Sequence, residues 1–285
     1  MTWLAYTIIT LGSSALWGVI SGWLIYFYLP PGGQPLVPLV YYSVVMLISR
    51  AVNILAGLPI GHISDRTHSV WGRRLPFVIG GAFFVPVLFV LLWRPPQAGE
   101  SIWNLIYLAF ILMAFNIAYE VHQTPYESLL PELAVGEKER VRIATWKSSF
   151  LLGGNILAGF AGPMIEKWGY NQSMLIFATV AAPMMILPGF FLLTRLDLNV
   201  RPVRHISFFT SLKTTLTNRP FQIFTASWGL MWIASSFVLS IMPFIVTEVC
   251  RLRKTDAIYF YLTGIVATLA SFPFVNRLSA RYGVK

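Results

Sequence analysis

Asn116, Glu120, Gln123 and Glu127 lie four, three and four residues apart inside an otherwise apolar stretch. In an α-helix that spacing places them on one face. An amide, a carboxylate, a second amide and a second carboxylate in such a row can bind hydroxyls, hold a proton or pair with a cation. Upstream, Arg50, Asn53 and Gly57 share a similar spacing, and further upstream Thr7, Thr10, Ser14, Trp17 and Ser21 form a stripe of hydroxyls around one indole. Such a stripe suits a polyol ring stacked on an aromatic face, or simply the close packing of small residues between helices. Lys147 and Asn155 are further polar residues in an apolar run, and Trp228, Trp232, Ser235 and Ser236 form a weaker group near the end.

These residues need elements to position them, and composition says which. The 285-residue chain is 56% hydrophobic and only 11% charged, too little charge to cover a water-facing exterior. Apolar runs near the roughly 20 residues of a membrane span recur along it, and about eight can be read: 4–28, 38–63, 75–94, 103–128, 147–166, 173–194, 221–247 and 257–275. They lack the short alternation of barrel strands, so each is expected to be a helix. The first has no basic segment before it and no small-residue cleavage site, which argues against a removed signal peptide.

Inside a bilayer a polar stripe must face a cavity or another helix. Asn116 and Glu120 are then expected near mid-bilayer and Glu127 nearer one surface, where snorkelling at a helix end would also account for it. Arg50, about halfway along its span, needs a partner, because an unpaired buried charge costs several kcal/mol. An Arg50–Glu120 pair is the expectation, either as a static lock or as a pair exchanged during a conformational cycle. Gly153, Gly154, Gly159 and Gly162 are expected to serve close helix packing.

The formal charge of +10 would suit a nucleic-acid partner, but its distribution argues for topology instead. Arg66, Arg73 and Arg74 fall in the second loop, Lys138, Arg140 and Arg142 in the fourth, and Arg195, Arg201, Arg204, Lys213 and Arg219 in the sixth, while the first carries no charge. Even-numbered loops and the N-terminus are therefore expected to face the cytoplasm. Arg251, Arg253 and Lys254 dissent from that rule. His62, His68, His122 and His205 are too scattered for a metal cluster, and Cys250 is the only cysteine. No metal, cofactor or nucleic acid is expected, and no phosphate loop or nucleophile and base pairing points to an enzyme.

The second loop, GHISDRTHSVWGRRLPF from Gly61, holds Asp65, Arg66, Gly72, Arg73 and Arg74 in a tight polar segment. A degenerate copy, NRLSARYGVK from Asn276, keeps the offset: Asn276–Arg277 answers Asp65–Arg66, and Tyr282–Gly283 answers Trp71–Gly72. Each copy follows the second span of its own half. The expected division is a six-helix bundle over 1–194, a cytoplasmic linker over 195–220 and the first two helices of an incomplete second bundle over 221–285. A parallel repeat of this kind is a known carrier architecture. On this reading a full second half would add four more spans, so the chain is expected to be a truncated product or to be completed by another chain.

With these motifs the chain resembles the major facilitator superfamily, and within it the glycoside-pentoside-hexuronide:cation symporters and the related sucrose carriers. The loop fits G-x-x-x-D-R followed by G-R-R, and TPYESLLPELAVGEKERVR from Thr124 resembles the stretch that ends helix 4 in that family. The resemblance implies an all-α integral membrane protein with the major facilitator fold. Its expected function is alternating-access transport of a small polar solute, a sugar or glycoside, with the loop as conformational hinge. In melibiose-type members two carboxylates on helix 2 hold the cation, and here Asn53 and Gly57 stand at those positions. The family's sugar-binding Asp residues of helices 1 and 4 correspond to Ser14 and Gln123. The absence of all four carboxylates argues against sodium, a hard cation that needs anionic oxygens. H+ coupled through Glu120 or Glu127, or uncoupled passage, remains open. A non-sugar solute and a non-transporting accessory protein on the same fold are the competing readings. The expected location is a plasma membrane of the bacterial inner kind.

Overall fold

The computed structural model describes residues 2–134, 136–194, 214, 217–264, 266, 267 and 270. The linker expected over 195–220 lies almost wholly outside them, as do the second copy of the hinge from Asn276 and most of the eighth span beyond 264. The described residues are helical over most of each expected span. The helices are α1 (Thr2–Tyr28), α2 (Leu39–Arg66), α3 (Leu75–Leu91), α4 (Ile102–Ser128), the single turn α5 (Leu130–Leu133), α6 (Glu137–Gly159), α7 (Ala161–Leu193) and α8 (Arg219–Phe244). A π-helical turn, Ile245–Val249, continues α8, a 3-10 turn follows at Lys254–Asp256, and residues 257–264 are helical again.

Five helical stretches among the described residues are long and apolar enough to cross a membrane: Thr2–Tyr28, Leu39–Arg66, Ile102–Leu133, Ala161–Leu193 and Arg219–Val249. Leu75–Leu91 is apolar but shorter, and hydrogen bonds from Trp93 to Val90 and from Arg94 to Leu91 add a tight final turn. Their outer faces carry Leu47, Ile54, Leu55, Phe84, Phe110, Leu187 and Leu230 exposed, a surface that only lipid or further helices would tolerate. The chain is an integral membrane protein.

Two expected boundaries shift. The fifth span starts ten residues before the apolar run, because the charged segment from Glu137 continues the same helix. The expected loop near 167–172 is a single residue, Gly169, with φ +73. Glycine enters that left-handed region without a Cβ clash, which lets the chain turn back in one step. Ile165 packs in the core cluster that includes Trp23 and Trp93, whereas Leu192 packs with Tyr6 and Leu75 at the other end.

Helix α1 is central, packed along both α6 and α7 and, over its second half, against α8. Helix α4 packs on α2 and α3, and α3 on α7. The odd-numbered loops gather at one end. There Asn104 donates to the carbonyls of Leu36, Gln97 and Gly99, Tyr28 donates to the Leu92 carbonyl at 2.9 Å, and Trp93 stacks on Tyr170 at 5.8 Å. The hinge segment and α5 occupy the opposite end.

The tightest contact in the bundle is α1 on α6. A Cβ at Gly154 would sit 1.9 Å from the Ser14 hydroxyl and 2.7 Å from the Leu11 carbonyl oxygen, whereas one at Gly153 would meet only the end of the Leu11 side chain at 3.0 Å. Overpacking that must move backbone costs about 1–3 kcal/mol or more. Gly154→Ala is therefore expected to lower the melting temperature of the purified protein in detergent well below that of Gly153→Ala. Equal shifts would contradict the close approach.

Candidate functional site

The polar residues inside the spans sort into three groups. The first lines a cavity of about 200 Å³ bounded by α1, α2, α4 and α8, with Trp17, Tyr42, Ser49, Arg50, Asn116 and Ser240 among its walls. Trp17 is seated by Phe115 and Tyr119, with ring centroids at 6.3 and 4.8 Å. The Arg50 guanidinium lies over the Trp17 ring at 5.1 Å, a cation–π contact. Asn116 donates to the Ser49 carbonyl at 3.1 Å, and Ser240 to the Ser21 carbonyl at 3.0 Å. Tyr42 is 3% exposed, and its hydroxyl has no hydrogen-bond partner among the described residues.

The second group surrounds Glu120. Asn53 donates to its Oε1 at 3.0 Å and Thr124 to its Oε2 at 2.7 Å. Gly57 leaves the carboxylate its room, since a Cβ there would lie 3.2 Å from Oε2. Where the resemblance leads one to expect carboxylates on α2, the chain has one reaching across from α4. The expected Arg50–Glu120 pair is not made. Helices α2 and α4 run parallel with Ser49 level with Asn116 and Asn53 level with Glu120, so Arg50 sits about a turn away from Glu120 and meets Trp17 instead.

The third group lies closer to the hinge end. Gln123 donates to Glu127 Oε1 at 2.7 Å, and Lys147 of α6 forms an ion pair with Glu127 Oε2 while lying over the Tyr126 ring at 5.3 Å. Glu127 is thus paired rather than merely snorkelling. Ser14 belongs to none of the three. It turns its hydroxyl to the Thr10 carbonyl at 2.6 Å and is buried against Gly154, because its side of α1 is the one that packs on α6.

At the hinge, α2 ends at Arg66 with Asp65 in its last turn, where a negative charge opposes the helix dipole. Arg74 compensates, with contacts of 3.0 and 2.7 Å to Asp65 Oδ1. The same guanidinium donates to the Ser128 carbonyl at the end of α4 and reaches Glu132 Oε1 at 2.9 Å, which Arg73 also contacts. Gly72, at φ +79, makes the turn that brings both arginines inward, and Ser69 clasps it by donating to the Gly72 carbonyl at 2.9 Å. Gly61 faces Thr124, and Arg66 is exposed.

Beyond the stripes picked out by spacing, the structure adds Glu132, Thr124, Tyr42 and Ser240. Glu132 stands in the Pro-Glu step of the helix 4 motif, and Thr124 lies one turn beyond Glu120, so both carried a signal. Tyr42 and Ser240 carried none. Trp228, Trp232 and Ser235 stay outside the cavity: the two indoles are about half exposed, and Ser235 bonds back to the Met231 carbonyl.

The end of α8 and the segment after it meet α1 and α7 at the odd-loop end. Tyr26 donates to Thr247 at 3.2 Å, and Glu166 accepts from both the backbone and the hydroxyl of Thr255. Lys254 lies over Tyr26 and Tyr170 at 5.1 and 5.7 Å. Burial lowers its ammonium below the usual lysine value, against the opposing pull of Glu166. Among the described residues no group of three His, Cys, Asp or Glu is placed to hold a metal.

Comparison with known proteins agrees with this architecture. The family described as MFS/sugar transport protein matches residues 5–285. The chain belongs to this family. Similar members include an uncharacterized symporter of Synechocystis sp., 32% identical over 162 residues, which are 55% of this chain and 29% of that protein. The uncharacterized symporter YnaJ of Bacillus subtilis is 24% identical over 95% of this chain and 59% of its own length. The isoprimeverose transporter of Lactiplantibacillus pentosus is 23% identical over 94% of this chain and 54% of its own. The chain thus spans a little over half the length of the latter two family members.

Glu132 faces two arginines that are mostly buried, whereas Asp65 is about half exposed and faces one. Exposed pairs contribute up to about 1 kcal/mol and leaving a more buried charge unpaired costs more. Glu132→Gln is expected to lower the melting temperature further than Asp65→Asn, and the reverse order would contradict the geometry.

Proposed function

We propose that the chain forms the first bundle and the start of the second in a secondary carrier that moves a sugar-like solute by alternating access. The observation that carries this reading is the cavity walled by α1, α2 and α4 from one half and Ser240 of α8 from the other. A site shared between two bundles changes its accessible side when the bundles rock. The halves touch at the odd-loop end through Tyr26 with Thr247 and Glu166 with Thr255, while α8 is exposed over most of its first five turns. This state is therefore shut at the odd-loop end. The basic even-numbered loops favour a cytoplasmic N-terminus by the positive-inside rule, which makes the state inward-facing, in a plasma membrane of the bacterial inner kind.

The hinge cluster is the counterpart device. Arg73 and Arg74 tie α3 to the ends of α2 and α4 through Asp65, Ser128 and Glu132, so the first bundle rocks as one body. Coupling is assigned to H+ at Glu120. Its carboxylate is held by two neutral donors, Asn53 and Thr124, and can carry a proton through the cycle without losing its place.

In proteoliposomes containing the full chain, an imposed pH gradient is expected to drive accumulation of at least one sugar from a radiolabelled panel. Glu120→Gln should abolish that accumulation while sparing exchange of labelled for unlabelled sugar. Accumulation by Glu120→Gln at the wild-type level would overturn the coupling assignment, and no uptake of any sugar under either condition would overturn the carrier reading.

A further inference from the structure

Three glycines of the first bundle face the segment that follows α8. A Cβ at Gly162 would lie 2.2 Å from the Lys254 carbonyl oxygen and 3.1 Å from the Trp23 ring. One at Gly159 would lie 3.2 Å from the Tyr261 Cβ, and its three nearest atoms would all belong to Tyr261. One at Gly22 would lie 2.8 Å from the Tyr261 hydroxyl. Gly159 ends α6, Gly162 lies in the first turn of α7, and Gly22 is on the second half of α1. Three separate elements thus leave room at one place, and the chain after α8 fills it with a backbone carbonyl and a phenol ring. None of the three glycines has the left-handed backbone that would itself require the residue.

These contacts differ in kind from the one at Gly154. That residue meets Ser14 and Leu11 of its own bundle, so a methyl there strains every state the protein visits. A methyl at Gly159 strains only a state in which Tyr261 is docked, and at a helical position alanine is otherwise at least as well suited as glycine. The hydrogen bonds nearby discriminate less sharply. Glu166 is exposed, so the bonds it accepts from Thr255 exchange for water at small net cost. A steric fit against backbone has no such substitute.

We infer that Gly22, Gly159 and Gly162 form a seat for the chain from Lys254 to Tyr261, and that the fit of this seat sets the balance between a shut and an open odd-loop end. The inference rests on the carrier reading for the need to open that end, and it assigns the residues that hold it closed. None of the three glycines is among the residues walling the cavity, so one added methyl moves the balance without touching the solute site.

The chain's only cysteine supplies the test. Cys250 is exposed on the segment between α8 and Lys254, and Glu100 is exposed in the loop between α3 and α4. Spin labels on Cys250 and on Glu100→Cys, in the full chain in lipid nanodiscs, report the width of the odd-loop end with no solute present. The intact seat is expected to give a short-distance population. Gly159→Ala and Gly162→Ala should raise the ratio of long to short distances about tenfold, the effect of one overpacked methyl. Gly153→Ala, whose methyl would meet only the Leu11 side chain, should leave the ratio unchanged. Gly22→Ala should raise it less, because the hydroxyl end of a tyrosine can swing aside, and adding Tyr261→Phe should return it to the starting value. An unchanged ratio in Gly159→Ala overturns the seat, as does an equal shift in Gly153→Ala or an intact seat that gives only long distances. If Gly162→Ala does not fold, Gly159→Ala and the Gly22 pair still decide. Distances that shift as expected in a protein that takes up no sugar would leave the seat standing and remove the carrier reading.

Discussion

The hydrogen bond from Asn53 to Glu120 sets the register between α2 and α4. Helix faces within a bilayer have no water to satisfy a polar group that misses its partner, so a slip of one residue would strand an amide and a carboxylate together. The same offset of 67 residues recurs one turn away, where Asn116 donates to the Ser49 carbonyl. Two bonds at one offset hold the parallel pair like two rungs. Everything near them inherits that alignment: Gly57 yields space to the carboxylate, Arg50 is set a turn too far to reach it, and the guanidinium comes to rest on Trp17.

Much of this was legible in the sequence, and the misses have a common cause. The helices and the polar face of α4 followed from periodicity, because a span must hide its polar side and the hiding leaves a pattern. The glycines at 153 and 154 were expected to allow close packing, and at 154 the backbone approach is closer than any side chain would permit. Pairing was less legible. Spacing says which residues share a face, but the axial offset between two helices decides which charge meets which, and nothing in either helix alone encodes it. Arg50 and Glu120 were matched by need, and the register matched each to something else. Ser14 shares the face of Trp17 by count, yet it packs against Gly154 of α6 and bonds back to the Thr10 carbonyl.

Charge behaves differently at the two ends of the bundle. At the hinge the arginines are structural partners as much as topological markers, since Asp65, Glu132 and the open carbonyl of Ser128 all draw on them. At the opposite end, Lys254, one of the basic residues after α8 that dissent from the loop rule, joins the contact of that segment with α1 and α7. Lys254 is flanked by Tyr26 and Tyr170 with Glu166 nearby, and Asp256 accepts from the Arg253 backbone. Local partners account for Lys254 where a rule about whole loops does not.

The contacts between α1 and α8 are confined to their far halves, at Ser21 with Ser240 and Tyr26 with Thr247. That makes the odd-loop end a fulcrum and the first turns of α8 the free arm of a lever. From Arg219 to Ser240 the arm is about 30 Å at 1.5 Å per residue. A tilt of about 10° at the fulcrum therefore sweeps its tip through roughly 5 Å, about one helical pitch. A displacement too small to break the hydrogen bonds at the pivot is enough, at the other end, to open or close a gap the width of a side chain.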